Sequence, residues 1–187
     1  DNDESLKILD RIALSHAEAG ADFVAPSAMM DGQVKSIRKA LDNSSLNNVG
    51  IIGYSAKLSS NLYTPFRDAS HSTPEFGDRK SYQMPFHNTN EALQEIMMDI
   101  KEGADIIMIK PALPYLDLIY KTRQTTLLPV CAYSVSGEYS IVKAAALEGW
   151  VNEDEIVIEF ATSIKRAGAD IIISYHTKKI AEILNSS

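Results

Sequence analysis

The sequence predicts an α/β fold, an incomplete (β/α)8 TIM barrel, on three observations. Short apolar runs alternate with helical patterns along the whole chain. Each run leads into a polar residue at its C-terminal end, and no nucleotide-binding fingerprint accompanies the alternation.

The elements follow in order. Residues 4–19 carry Leu6, Leu9, Ile12, Ala13 and Ala17 at helical spacing, and residues 33–42 carry Val34, Ile37 and Leu41. Three helical patterns end in glycine and pass almost at once into an apolar run: "AGADFVAPS" (19–27), "EGADIIMIKP" (102–111) and "AGADIIISYH" (167–176). Gly20, Gly103 and Gly168 suit the left-handed position that stops a helix, and Ala-Asp then leads into strand. "VGIIGYSAK" (49–57) and "LPVCAYSV" (128–135) complete five strands. All are apolar enough to be buried on both faces and hence parallel. Further helices are predicted over 90–102, over 115–124 after Pro114, over 138–148 after Gly137, from "NEDE" (152–155) to about 167, and over 177–185.

Either a barrel or a doubly wound sheet has this alternation. The second has no support, because neither G-x-G-x-x-G nor a P-loop follows any strand. A barrel explains why Ser27, Lys57, Lys110, Ser136 and Tyr175 all fall at strand ends, where barrel chemistry gathers. A whole barrel takes about 250 residues. These 187 residues form a single, incomplete catalytic domain, and the opening "DNDESL" without methionine is expected to be a cut.

Composition narrows the function. With 18 basic and 25 acidic residues the net charge is −7, so no basic field draws nucleic acid or an anionic membrane. No apolar stretch approaches the roughly 18 residues of a membrane span, and no signal-peptide pattern is expected within the chain, any transit peptide being expected before Asp1. A soluble protein is expected. The lone Cys131 sits in an apolar run and reads as a small hydrophobe.

The chemistry is concentrated on two lysines. An amine at the floor of an apolar pocket is disfavoured as a cation, and a second cation beside it is expected to lower its pKa further, leaving a nucleophile able to form a Schiff base. A single strand-end lysine is more often a snorkelling or ion-paired side chain. Lys57 and Lys110 end consecutive strands, which places them side by side at a barrel mouth. The segment 61–88 after Lys57 is far longer than an ordinary βα loop of roughly two to six residues and is predicted to be a lid. Its Arg67 and Arg79 suit a substrate carboxylate, although two solvated arginines would look the same.

These residues carry a family resemblance. "YSAKLSSNLYTPFRDA", "GDRKSYQM", "IMIKPALPYLD", "AYSVSGEY" and "KRAGADIIISY" resemble, in order and spacing, the signatures of the porphobilinogen synthase (5-aminolevulinate dehydratase) family. The resemblance implies about strands 4 to 8 of that family's barrel. It implies the condensation of two 5-aminolevulinate molecules to porphobilinogen with loss of water, in tetrapyrrole biosynthesis. Lys110 matches the lysine that holds the substrate supplying the propionate arm, and Lys57 the lysine that holds the other. Arg67, Arg79 and Gln83 match residues for the second substrate's carboxylate; Ser136 and Tyr175 match those for the first. Ser27 matches a serine near the first substrate's amine, and Phe66 and Tyr133 match pocket walls. Ser134 stands where the family usually has glutamine or histidine, and "YQMPFHN" departs from the usual lid sequence.

Glu91, Glu95, Asp99 and Glu102 form an acidic helix stripe, which by pattern alone is a solvated face. The resemblance implies an allosteric Mg2+ on Glu95, with Asp31 and Asp99 reached through water. Oxygen ligands with retained waters suit that ion. The family's active-site metal segment and oligomerising arm would lie before residue 1, so active-site metal dependence is not readable here and a homo-octamer is implied only by resemblance. Cytoplasm and a plastid-type organelle both stay open. Two other readings stand beside the dehydratase: a class I aldolase type of lyase, which needs only one such lysine, and a non-catalytic scaffold. Five strands leave two raw edges, so the chain alone is expected to be inactive.

Overall fold

The computed structural model describes residues 1–71 and 82–186. Five parallel strands lie side by side in chain order: β1 (Phe23–Val24), β2 (Gly50–Lys57), β3 (Ile106–Lys110), β4 (Val130–Ser134) and β5 (Ile171–Ser174). A doubly wound sheet reverses its strand order at a switch point, whereas this order runs one way throughout. It is a half-barrel. Its helices are α1 (Asn2–Glu18), α2 (Gln33–Asn43), α3 (Thr64–Ala69), α4 (Thr89–Glu102), α5 (Leu116–Thr125), α6 (Ser136–Leu147), α7 (Glu153–Ala167) and α8 (Thr177–Asn185).

The two faces of the sheet bury different sets. Ile51, Ile107, Ile109, Val130 and Ala132 pack outward against helix residues such as Ile37, Leu41, Ile96 and Ile119. On the barrel-interior face Ile106, Met108 and Cys131 gather with Ile52, Tyr54 and Tyr133. The period-two alternation that separates these sets brings Lys110 to the interior, in step with Ile106 and Met108.

The glycine stops are where the sequence places them, with Gly20, Gly103 and Gly168 at φ of +98°, +102° and +118°. Two of the Ala-Asp pairs do more than lead into strand. Asp105 donates its N–H to the Ile51 carbonyl at 2.9 Å while its Oδ2 accepts the Ile51 N–H at 2.8 Å. Asp170 and Val130 form the same closed ring, at 2.8 and 2.9 Å. Each aspartate thereby fixes the start of its own strand to that of the preceding one.

Three boundaries differ from the sequence reading. The strand expected within 19–27 shrinks to two residues, because Pro26 has no N–H to donate and β1 pairs only with β2 among the described residues. Ser27 therefore lies beyond a strand end instead of on it. The helix expected from 138 begins at Ser136, and a 3-10 turn at Leu113–Tyr115 precedes α5. Within the expected lid, a 3-10 turn at Asn61–Tyr63 runs into α3.

Candidate active site at the strand ends

Lys57 and Lys110 are register partners on β2 and β3. Their shared orientation depends on an irregularity. The pairing runs Ile52 to Ile106 and Gly53 to Ile107, then Ala56 to Ile109, so β2 holds one extra residue between Gly53 and Ala56. In a regular strand Tyr54 and Lys57, three apart, would face opposite ways; the bulge restores them to one face. Both amines consequently flank the Tyr54 ring, with Lys57 Nζ 5.7 Å and Lys110 Nζ 5.4 Å from its centroid.

Around Lys110 the wall is aromatic. Its Nζ lies 4.0 Å from the Tyr133 ring centroid and 5.6 Å from that of Tyr63. Such ring faces favour the ammonium form. Burial opposes them and wins, lowering the Lys110 pKa to about 8. Burial is the cause of that shift, and the Lys57 amine donates to the Ser27 carbonyl at 2.5 Å. Lys57 itself is 8% exposed.

Residues at the start of the 61–88 segment close this pocket. Tyr63 is buried and its hydroxyl donates to the carbonyls of Leu58 (2.8 Å) and Lys110 (3.2 Å), while burial raises its pKa. The Arg67 guanidinium lies over the same ring, 5.3 Å from its centroid. The chain crosses α6 at Gly137, where a Cβ would stand 2.5 Å from the Leu62 backbone. That close approach needs glycine. Ser136 is buried beside it, its Oγ accepting the Phe66 N–H at 3.1 Å and donating to the Leu62 carbonyl at 3.3 Å. The Phe66 side chain stays exposed.

The structure thus brings Lys57, Lys110, Tyr133, Arg67, Phe66 and Ser136 to one mouth, and Tyr175 beside Tyr133, whose pKa rises through burial and through that neighbour. Ser27 joins through its backbone carbonyl. Gln83 is buried on a cavity of about 570 Å³ that it shares with Asp31, Glu91 and Glu95, one residue before Met84, which bridges to Leu58 beside Lys57. Arg79 lies outside the described residues. Sequence reasoning missed Tyr54, Tyr63 and Glu138. Tyr54 is out of step with Lys57 until the bulge is known, and Glu138, at the third position of α6, has Val135 at the N-cap in place of the Ser or Thr that would mark a capping box in the sequence.

The acidic stripe divides in two. Glu95 faces the Asp31 cavity, and burial together with Asp99, Asp31, Glu102 and Glu91 raises its pKa to about 7. Asp99 turns under β2 instead, at 5% exposure and hydrogen-bonded by Ser55, with its pKa raised to about 6 by burial. Among the described residues no three His, Cys, Asp or Glu side chains converge to hold a metal by themselves. No helix among them is long and apolar enough to cross a membrane.

Comparison with known proteins agrees with this geometry. The sequence model of the delta-aminolevulinic acid dehydratase family matches residues 1–183. Delta-aminolevulinic acid dehydratase of Archaeoglobus fulgidus is 60% identical over 98% of this chain and 56% of its own length. The Bacillus subtilis enzyme of that name is 55% identical with the same coverage. A crystal structure of the Toxoplasma gondii ME49 enzyme, in complex with the reaction product porphobilinogen, superposes with a TM-score of 0.96 at 46% identity, over 98% of this chain and 52% of that one. The chain spans about half the length of the curated relatives it matches.

Proposed function

Since the chain belongs to the delta-aminolevulinic acid dehydratase family, we propose that it supplies the two Schiff-base lysines for condensing two 5-aminolevulinate molecules to porphobilinogen. The observation that carries this reading is the register pair Lys57 and Lys110, with Lys110 held in an apolar aromatic pocket. A class I aldolase type of site would need one such amine.

Each ketone condenses with a neutral amine, expelling water to give an imine; protonation at nitrogen makes the iminium cation, which draws on the adjacent C–H bond so that its proton leaves and the enamine carbon can form the carbon–carbon bond. Lys110 holds the substrate that supplies the propionate arm, its carboxylate received by Ser136 and Tyr175. Lys57 holds the other, with Arg67, Arg79 and Gln83 for its carboxylate. Ser27 lies by the first substrate's amine, and Phe66 and Tyr133 wall the pocket. Residues 61–88 close over the pair, excluding water and aligning the reacting atoms. In the described structure the Ser136 hydroxyl is engaged with Leu62 and Phe66, so substrate entry would require it to exchange those partners.

The chain represents about strands 4 to 8 of a single-domain barrel, within the homo-octamer the family resemblance implies. An Mg2+ ion is proposed at the cavity beside α4 that Glu95, Asp31 and Glu91 line, where burial and then the neighbouring carboxylates raise the Glu95 pKa; Asp99 lies under β2, off that lining, and would reach the ion only through water. Glu95 would hold it directly, with Asp31 and Asp99 through water, and the ion would neutralise that wall. Glu95→Gln should then remove any Mg2+-dependent rise in melting temperature.

The deciding experiment treats the complete protein with 5-aminolevulinate and borohydride and maps the labelled peptides. Label at Lys110 and Lys57 is expected; its failure to reach Lys110 overturns the assignment. The isolated 187 residues should make no porphobilinogen.

A further inference from the structure

We infer that Glu138 is a positioning residue for Lys110, an assignment that rests on the Schiff-base reading above. Its carboxylate is 3% exposed. Oε1 accepts the Leu113 N–H at 2.6 Å, and Oε2 accepts the N–H groups of Val135 at 2.5 Å and Ala112 at 3.5 Å. A glutamate at the third position of a helix ordinarily reaches back only to its own N-cap, as the Val135 bond does. This one also reaches 25 residues back, into the segment that leaves Lys110.

The consequence is a clamp on the lysine's backbone from both sides. On one side the Lys110 carbonyl accepts from the Tyr63 hydroxyl at 3.2 Å and from the Leu58 N–H at 3.0 Å. On the other, Ala112 and Leu113 hang from Glu138. The same carboxylate fixes the turn that carries Ser136, so the lysine and the residue proposed for its substrate's carboxylate share one buried anchor. Burial raises the Glu138 pKa and the three backbone N–H donors oppose that rise; as a carboxylate it accepts all three bonds. Glutamine at this position offers a single acceptor oxygen, and its NH2 would face a backbone N–H.

Two labelling experiments on the complete protein test this. Trace acetylation reports the reactivity of each lysine without substrate, and borohydride trapping with 5-aminolevulinate reports Schiff-base formation. In Glu138→Gln both labels at Lys110 should fall by about tenfold or more while Lys57 keeps its labelling, because small misplacements of a reacting group cost rates of that order. Glu138→Asp, one methylene too short to span Leu113 and Val135, should show the same selective loss and serves if the glutamine variant does not accumulate. Val142→Ala, which opens a cavity in the same helix, should lower the melting temperature with an unchanged Lys110-to-Lys57 ratio. An unchanged ratio in both Glu138 variants would overturn the proposal. Acetylation at Lys110 without any trapping in the unaltered protein would instead overturn the Schiff-base reading, leaving the acetylation ratio to decide the role of Glu138.

Discussion

Lys57 and Lys110 face the same barrel interior because β2 carries one residue more than β3 between Gly53 and Ala56. Without that bulge, Lys57 would point to the opposite face, toward the helix layer. A paired-lysine site therefore depends on a backbone irregularity as much as on the lysines. Lys57→Ala and Lys110→Ala should each lower kcat by on the order of a thousandfold or more, with arginine failing to replace either, since guanidinium does not lose its proton. Steady-state porphobilinogen formation by the complete protein checks this. A loss under tenfold at either position would remove that lysine from the covalent chemistry.

The amine of Lys110 should set a pH dependence. With its pKa near 8, about one molecule in ten carries the neutral nucleophile at pH 7, and about half at pH 8. Borohydride trapping at Lys110 should rise steeply with pH below 8 and level off above it. The stability effect has a definite sign. A lysine whose folded pKa lies below its unfolded value of 10.5 binds its proton less tightly in the native state, so its contribution is full above that value and is lost as pH falls toward 8. Lys110→Met should accordingly raise the melting temperature near neutral pH while abolishing trapping. Equal melting temperatures at pH 7 would contradict the burial cost.

How far the sequence alone reveals this site follows from which features are local. Apolar runs, glycine helix stops and strand-end lysines are written in single segments, and the half-barrel followed from them. The bulge at Tyr54 and Ser55 is a mismatch between β2 and β3 and exists in neither strand alone. The shortness of β1 and the reach of Glu138 to Leu113 are likewise relations between distant segments. The partner of the Lys57 amine is a relation of the same kind, since the Ser27 carbonyl that accepts from it lies on a different segment. Ser136 shows the converse: its position was legible, but its hydroxyl's engagement with Leu62 and Phe66 was not.

Gly137 should tolerate no side chain. A Cβ there would meet the Leu62 Cα and carbonyl oxygen at 2.5 Å, and backbone cannot swing aside as a flexible side-chain tip can. Gly137→Ala should cost about 1–3 kcal/mol by overpacking and shift the root of the lid away from α6. The second effect distinguishes this substitution from ordinary destabilisation: KM for 5-aminolevulinate should rise even where the variant is fully folded. Urea unfolding together with KM measured well below the melting temperature tests both parts. An unchanged KM would separate the Leu62 contact from lid placement.

Asp105 and Asp170 should matter for stability and not for turnover. Each closes a ring of two hydrogen bonds with the first residues of the preceding strand, at the barrel end opposite the lysines. Removing either carboxylate leaves the Ile51 or Val130 N–H short of its side-chain acceptor, a loss of about 1–3 kcal/mol for a buried donor. The two should differ, because Asp170 also accepts from Arg123 at 2.9 Å. That ion pair is partly exposed and adds little, but its loss frees the arginine that lies over Gly168, where an added Cβ would come within 2.8 Å of it. Asp170→Ala should therefore lower the urea midpoint at least as far as Asp105→Ala, with kcat in the folded protein within about twofold of the unaltered enzyme for both, since distant sites act nearly independently. A large fall in kcat without a change in midpoint would show that these strand starts communicate with the lysines.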